Sequence, residues 1–242
     1  MKTSTSIIRK VVKAPLNILG LDLVRFHPKY EKGPYAYLDS LNIRTVIDVG
    51  AHEGEFAFMI KELLPAAEVI CFEPLQLEFQ QLQQKLGSKP GFRAFNYALG
   101  DSNESVDMWR NEFSQSSSLL PMTKLHKEAF PESERESVEQ VEVRRLDDVL
   151  DPAELKPEIL VKIDVQGFED KVLAGASRLL GKAKAVIMEV SFRELYRGQP
   201  LFDDIYERLR KQGFAYQGNL YQLVDPRDGK VLQADALFVA GE

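Results

Sequence analysis

The chain has 242 residues, 44% apolar and 28% charged, which suits one globular α/β domain with a modest N-terminal extension. Its net charge of −6 is uneven: residues 1–32 carry seven Lys/Arg against two acids, which leaves −11 on the remainder. That acidic body argues against a general nucleic-acid-binding surface, and the lone Cys71 excludes an internal disulfide framework.

A single cysteine inside an apolar run reads as a buried structural thiol in a reducing compartment, so a cytoplasmic location is expected. No segment reaches the roughly 18 apolar residues of a membrane span. The three histidines lie far apart and Cys71 has no cysteine partner, so no metal site is expected.

Residues 6–19 carry a helical apolar stripe (Ile7, Ile8, Val11, Val12, Leu16, Ile18, Leu19), with Arg9, Lys10 and Lys13 opposite it. Pro15 is expected to kink it or to start a second turn. Charges interrupt any signal-like run. The stripe either lies on an anionic membrane surface as a peripheral contact, or packs on the same protein or a second subunit. Residues 1–40 are therefore taken as a basic amphipathic extension and 41–242 as the functional domain.

A loop and short helix over 27–41 lead into a strand at 45–50 and a helix near 54–64, stopped by Pro65. A second strand, 68–73, ends at Pro74. A Gln/Leu-rich helix over 75–86 closes at Gly87. A strand over about 92–98, a turn at Gly100-Asp101-Ser102-Asn103 and a strand over 104–110 follow. Residues 111–136 are polar and serine-rich, too long for an ordinary connection, and read as a lid or substrate loop. A half-exposed strand at 138–145 and a short helix at 146–150 come next.

Residues 159–164 repeat the opening pattern of apolar strand, terminal acid and glycine turn, with a helix over 168–180. A strand at 184–190 and a helix at 202–212 follow. The tail reads as strands at 214–217, 220–224 and 234–239. The order fits an open, mostly parallel sheet with helices on both faces.

The stretch Thr45-Val46-Ile47-Asp48-Val49-Gly50-Ala51-His52-Glu53-Gly54 is strand, glycine turn and helix start, a unit that holds an anionic or zwitterionic cofactor. A dinucleotide fingerprint needs a middle glycine where Ala51 and His52 stand, so NAD is disfavoured. No Gly-Lys-Ser/Thr follows, so a P-loop is excluded. Glu73 ends the second strand, where an acid accepts hydrogen bonds from both ribose hydroxyls. Nucleosides without a bulky phosphate use that arrangement, S-adenosyl-L-methionine (SAM) among them.

Five blocks together resemble the FkbM family of SAM-dependent methyltransferases. They are Val46–Gly54; Phe72-Glu73-Pro74; Asn96-Tyr97-Ala98-Leu99-Gly100-Asp101; Ser117-Ser118-Leu119; and Lys162-Ile163-Asp164-Val165-Gln166-Gly167-Phe168-Glu169. Val172–Ala176 and Met188-Glu189-Val190 continue the match, which spans about residues 44–240. The sequence departs at His52, where Asn is more usual, and at Gln166, where Glu is common.

The resemblance implies a Rossmann-like seven-stranded sheet, ordered 3-2-1-4-5-7-6 with strand seven antiparallel. It also implies O-methylation of a sugar, glycan or secondary-metabolite hydroxyl. Glu73, Gly50/His52 and Asp164 would then line one crevice at the carboxyl ends of adjacent strands. Within it, Glu73 would hold the ribose. Asp48 and the Gly50, Ala51, Gly54 and Phe56 region would hold the methionyl part. Asn96 and Ala98 would border the adenine, and Asp164 would face the sulfonium or the acceptor. His52 and Asp164 are the candidate bases, and Glu189 is a substrate-side candidate. The competing reading is a non-catalytic SAM-binding or membrane-surface scaffolding module.

Overall fold

The computed structural model describes residues 33–111, 116–133 and 136–241. The amphipathic stripe at 6–19 lies outside the described residues. The chain divides into two units, Met1–Ala36 and Tyr37–Glu242. Among the described residues, the strands and α-helices all lie in the second unit.

The core of that unit is a seven-stranded sheet. In chain order, the strands of the protein are β1 (Thr45–Val49), β2 (Glu68–Phe72), β3 (Phe92–Phe95), β4 (Ala98–Leu99), β5 (Glu104–Asn111), β6 (Glu136–Arg144), β7 (Ile159–Ile163), β8 (Ala183–Ser191), β9 (Phe214–Val224) and β10 (Val231–Ala240). The large sheet runs β3-β2-β1-β7-β8-β10-β9. Counted within that sheet alone, this is 3-2-1-4-5-7-6. β10 alone runs against the direction of the other six strands, inserted between β8 and β9 by the terminal hairpin.

The architecture differs from the sequence expectation in detail. The strand expected over 92–98 divides at Asn96-Tyr97. Its second half, β4, joins β6 and β5 in a separate three-stranded sheet. The break has a cause: the Asn96 amide donates to the Glu73 and Pro74 carbonyls, both at 2.9 Å, and turns the chain away. The helix expected over 168–180 is two, Glu169–Gly175 and Ser177–Leu180. The strands expected at 214–217 and 220–224 are one, because β9 passes through Gly218 at φ 131° while it pairs with β10.

The helices are α1 (Glu55–Leu63), α2 (Gln76–Leu86), α3 (Lys124–Ala129), α4 (Leu146–Val149), α5 (Glu169–Gly175), α6 (Ser177–Leu180) and α7 (Phe202–Lys211). β1 and β7 are buried at all five positions, as strands flanked on both edges and covered on both faces must be. On one face, Ile47, Val49, Val161, Ile163 and Met188 join Val172, Leu173, Leu179, Ile205 and Leu209 from α5–α7 in one apolar cluster. Fully burying one such side chain contributes about 1.5–3 kcal/mol.

The segment expected as a lid is partly built into the fold. Residues 116–133 include α3. Met122 and Ala129 pack with Leu195, Tyr196 and Leu232, and Met122 bridges to Tyr196 in antiparallel fashion. Ser116, Ser117 and Ser118 are buried.

Candidate active site

The site grows from strand register. Asp48 pairs with Lys162, Ile163 with Met188, and Glu189 with Asp235. Side chains alternate along a strand, so Asp48, Lys162, Asp164, Glu189 and Asp235 all stand on the face opposite the α5–α7 cluster. The register therefore makes two charged rows near the carboxyl ends. Asp48 and Lys162 form the inner row, and Asp164, Glu189 and Asp235 the outer one.

Asp48 is fully buried, and neither carboxylate oxygen has a hydrogen-bond donor. Its charged neighbour is the Lys162 ammonium, 3.8 Å away. Burial pushes its carboxyl up to about 6, against the pull of Lys162. Lys162 itself lies 3.1 Å from Asp164 Oδ2 and 5.3 Å above the Phe56 ring on α1. Burial opposes its charge, but Asp164, Asp48 and Asp235 hold the ammonium protonated. A buried ion pair is weak evidence for stability, so this arrangement asks for another explanation.

Two glycine turns close over the rows, and a buried glutamate straps each. In the first, Gly50 and Ala51 donate their N–H groups to the Phe72 carbonyl at 3.0 Å. Glu73 accepts from the N–H of His52 at 2.8 Å and of Leu75 at 2.9 Å. Burial raises Glu73 to about 7, and these two donors hold it back. In the second turn, Glu169 accepts from the N–H groups of Val165 and Gly167, at 3.2 and 3.0 Å. It too is raised by burial to about 7.

Both turns use left-handed backbone. Gly50, Gly54 and Gly167 have φ of 80°, 87° and 100°, and between them His52 and Gln166 stand at 50° and 56°. A methyl group on Gly50 would lie 1.9 Å from the Asp164 carbonyl oxygen, so only glycine lets the turns touch.

The second turn carries Gln166. Its amide nitrogen donates to Asp164 Oδ1 at 2.7 Å and to Glu189 Oε2 at 2.9 Å. Its amide oxygen accepts from the Tyr196 hydroxyl at 2.9 Å. Its backbone carbonyl accepts from the Ser118 hydroxyl at 2.5 Å. The two carboxyls are driven apart. Burial opposes ionisation of Asp164, but Lys162 and the Gln166 hydrogen bond bring it below the ordinary range. Burial, with Asp164 and Glu169 adding repulsion, lifts Glu189 well above it. Asp235, half-buried beside them, is raised by burial to about 6.

The predicted residues thus separate. Asp48, Gly50, Ala51, Gly54, Phe56, Glu73, Asp164 and Glu189 surround the turns and rows. The His52 ring meets Glu55, with Nδ1 3.4 Å from Oε2. The amide of Asn96 is engaged with backbone beneath Glu73. Ala98 packs in the small core with Leu75 and Val143. Sequence reasoning missed Lys162, Gln166, Tyr196 and Asp235 as site residues. Lys162 and Asp235 each interrupt an apolar strand, which was the available signal. Among the described residues, no three His, Cys, Asp or Glu side chains are placed to hold a metal ion.

An open parallel sheet in this order, with an acid ending the second strand and a glycine turn after the first, is the methyltransferase variant of the doubly wound fold. Residues 48–216 match the model of the methyltransferase FkbM domain, and the chain belongs to that family. It is 31% identical over 161 residues to 2-O-methyltransferase NoeI of Sinorhizobium fredii, covering 64% of this chain and 66% of that one. It is 28% identical over 153 residues to methyltransferase sdnD of Sordaria araneosa, covering 54% and 59%. The chain thus covers less than two thirds of the length of either relative. A TehB-like SAM-dependent methyltransferase from Corynebacterium glutamicum aligns over 98% of this chain and 99% of its own, with 12% identity and a TM-score of 0.42.

Proposed function

We propose that the chain is a SAM-dependent O-methyltransferase acting on a hydroxyl of a sugar, glycan or secondary metabolite. The observation that carries this reading is the carboxyl pair Asp164–Glu189, driven apart by its surroundings beside the Gly50 turn. The crevice is rich in carboxyls: Asp48, Asp164, Glu189 and Asp235 gather around one lysine, and Glu73 ends the neighbouring strand. That suits a cationic cofactor and opposes a phosphate-bearing one. The orphaned Asp48 carboxylate fits the same cofactor class.

When bound, SAM supplies an activated methyl group on a positively charged sulfur. The Gly50–Gly54 backbone and the Glu73 carboxylate hold it; each Glu73 oxygen keeps a lone pair beyond its N–H donor. Asp164, held ionised by Lys162, faces positive charge. Burial favours the protonated form of Glu189; as positive charge enters the crevice it would release that proton to solvent, and the carboxylate would then take the proton of the acceptor hydroxyl. Orienting the acceptor against the donor is worth up to several kcal/mol of the barrier. His52, whose ring meets Glu55, is the weaker base candidate.

The 2-O-methyltransferase among the relatives supports a hydroxyl acceptor. Calorimetry with SAM and S-adenosylhomocysteine, followed by a screen of glycan, metabolite, RNA and protein extracts with methyl-labelled SAM, tests the reading. Cofactor binding followed by label in a glycan or small metabolite supports it. A folded protein that binds neither nucleoside overturns it. Among the described residues, no helix is long and apolar enough to cross a membrane.

A further inference from the structure

The Gln166 side chain has no polar atom left over. Its two amide hydrogens go to two different carboxyls, and its oxygen is held by Tyr196. The two carboxyls fix which way round the amide sits, because a flipped amide would aim its oxygen at both, and the Tyr196 hydroxyl, its one hydrogen shared with the Ser116 carbonyl, meets the amide oxygen. Tyr196 is fully buried and also reaches the Ser116 carbonyl, at 3.1 Å. Ser118, joined to Gln166 by its hydroxyl, pairs through its backbone with Trp109 in both directions, at 2.8 and 3.0 Å. One residue thus touches the outer carboxyl row on one side and the serine segment on the other.

We propose that Gln166 is a positioning residue that holds the Asp164–Glu189 pair and the Ser116–Ser118 cover segment as one unit. It rests on the methyltransferase reading only in that these carboxyls are the working ones; the coupling itself is a property of the cofactor-free protein. A change of charge in the pair is felt through the amide, then through Tyr196 and the Gln166 backbone, by the segment that carries Ser118 and, across its bridge, by Trp109 on β5. The charged and titratable groups around the pair are Lys162 and Asp48 on the inner row, Asp235 on β10, Glu169 on α5 and the Tyr196 phenol. A glutamate at 166 would set a third carboxyl between the first two, and it would need a proton to bridge them.

Trp109 is the single tryptophan of the chain, so its emission reports the position of the serine segment without a label. The experiment follows Trp109 emission of the cofactor-free protein between pH 4.5 and 8.5. Wild type, Glu189→Gln, Gln166→Met and Gln166→Glu are compared, and circular dichroism verifies folding of each. Wild type is expected to show a transition that Glu189→Gln removes. Gln166→Met keeps the side-chain length and removes every amide bond, so it should lose the transition. Gln166→Glu should keep a transition, with its midpoint moved up by at least one pH unit. A wild type with no transition, or a transition unchanged in both Gln166 variants, overturns the proposal. Should Gln166→Met fail to fold, the Gln166→Glu midpoint decides. Cofactor calorimetry on the same samples is a separate readout, so loss of nucleoside binding would count against the methyltransferase reading and not against this coupling.

Discussion

Gly50 and Asp164 are in contact across the two central strands: a β-carbon on Gly50 would fall 1.9 Å from the Asp164 carbonyl oxygen. The Asp164 N–H already donates to the Val49 carbonyl at 3.0 Å, so neither side can retreat without opening the β1–β7 pair. The Gly50→Ala variant faces this clash and a φ of 80° together. It should lose about 2–4 kcal/mol of stability, read as a lower midpoint in urea. Its nucleoside affinity should fall at least tenfold even below the unfolding range.

Glu73 holds the first turn through two backbone donors. Replacing it by Ala leaves the part-buried His52 and buried Leu75 N–H groups unpaired, at about 1–3 kcal/mol each. Calorimetry should find S-adenosylhomocysteine binding weakened more than tenfold by Glu73→Ala. Glu73→Gln should recover part of the stability and less of the binding, since its amide nitrogen opposes one of the two donors.

His52 occupies left-handed backbone, which Asn enters more easily than most residues. The variant His52→Asn should therefore stay within about 1 kcal/mol of wild type, whereas β-branched His52→Val should be clearly less stable. Once an acceptor is in hand, His52→Asn should keep most methyl transfer, and Glu189→Gln should lose at least a hundredfold. The reverse order would move the base to His52.

Stability should also carry the mark of the buried acids. Asp48 and Asp235 lie at about 6, and Glu73 and Glu169 at about 7, all lifted chiefly by burial. A raised native value means the folded protein keeps protons that the unfolded chain has released. The stabilisation is whole below the unfolded values near 4 and is lost as pH rises through 6 to 7. Asp164 works in the opposite sense, lost as pH falls through its lowered native value. The cofactor-free melting temperature should thus fall by several degrees between pH 5 and 8. A cationic nucleoside should flatten that fall and release protons on binding near pH 6.5, detectable by calorimetry in buffers of different ionisation enthalpy.

Much of this could be read along the chain. The β-branched run before Gly50 announces a strand between two neighbours. Gly50 and Gly54 announce a left-handed turn, and the strand-end acids Glu73, Asp164 and Glu189 mark the ends that face the crevice. Local periodicity also foretold that the tail is built of strands. It misread Gly218 as a break, because pairing with β10 carries the strand through that residue. It likewise missed the division at Asn96, whose cause is a side-chain amide bonded to another strand's end.

Residues 45–54 by themselves determine a strand, a turn and a helix start, because backbone preference and burial period are local properties. They do not determine that Glu73 straps the turn, that Asp48 lies beside Lys162, or that Gln166 joins Asp164 to Glu189. Those meetings bring together residues far apart in sequence, and the parallel register of β1, β2, β7 and β8 sets them. Charge placement follows the same division. The sequence shows acids ending strands, but only the folded sheet packs them around one lysine. Burial there opposes ionisation of both carboxyls, and only the folded contacts of Asp164 with Lys162 and Gln166 bring it below the ordinary range while Glu189 is lifted above it.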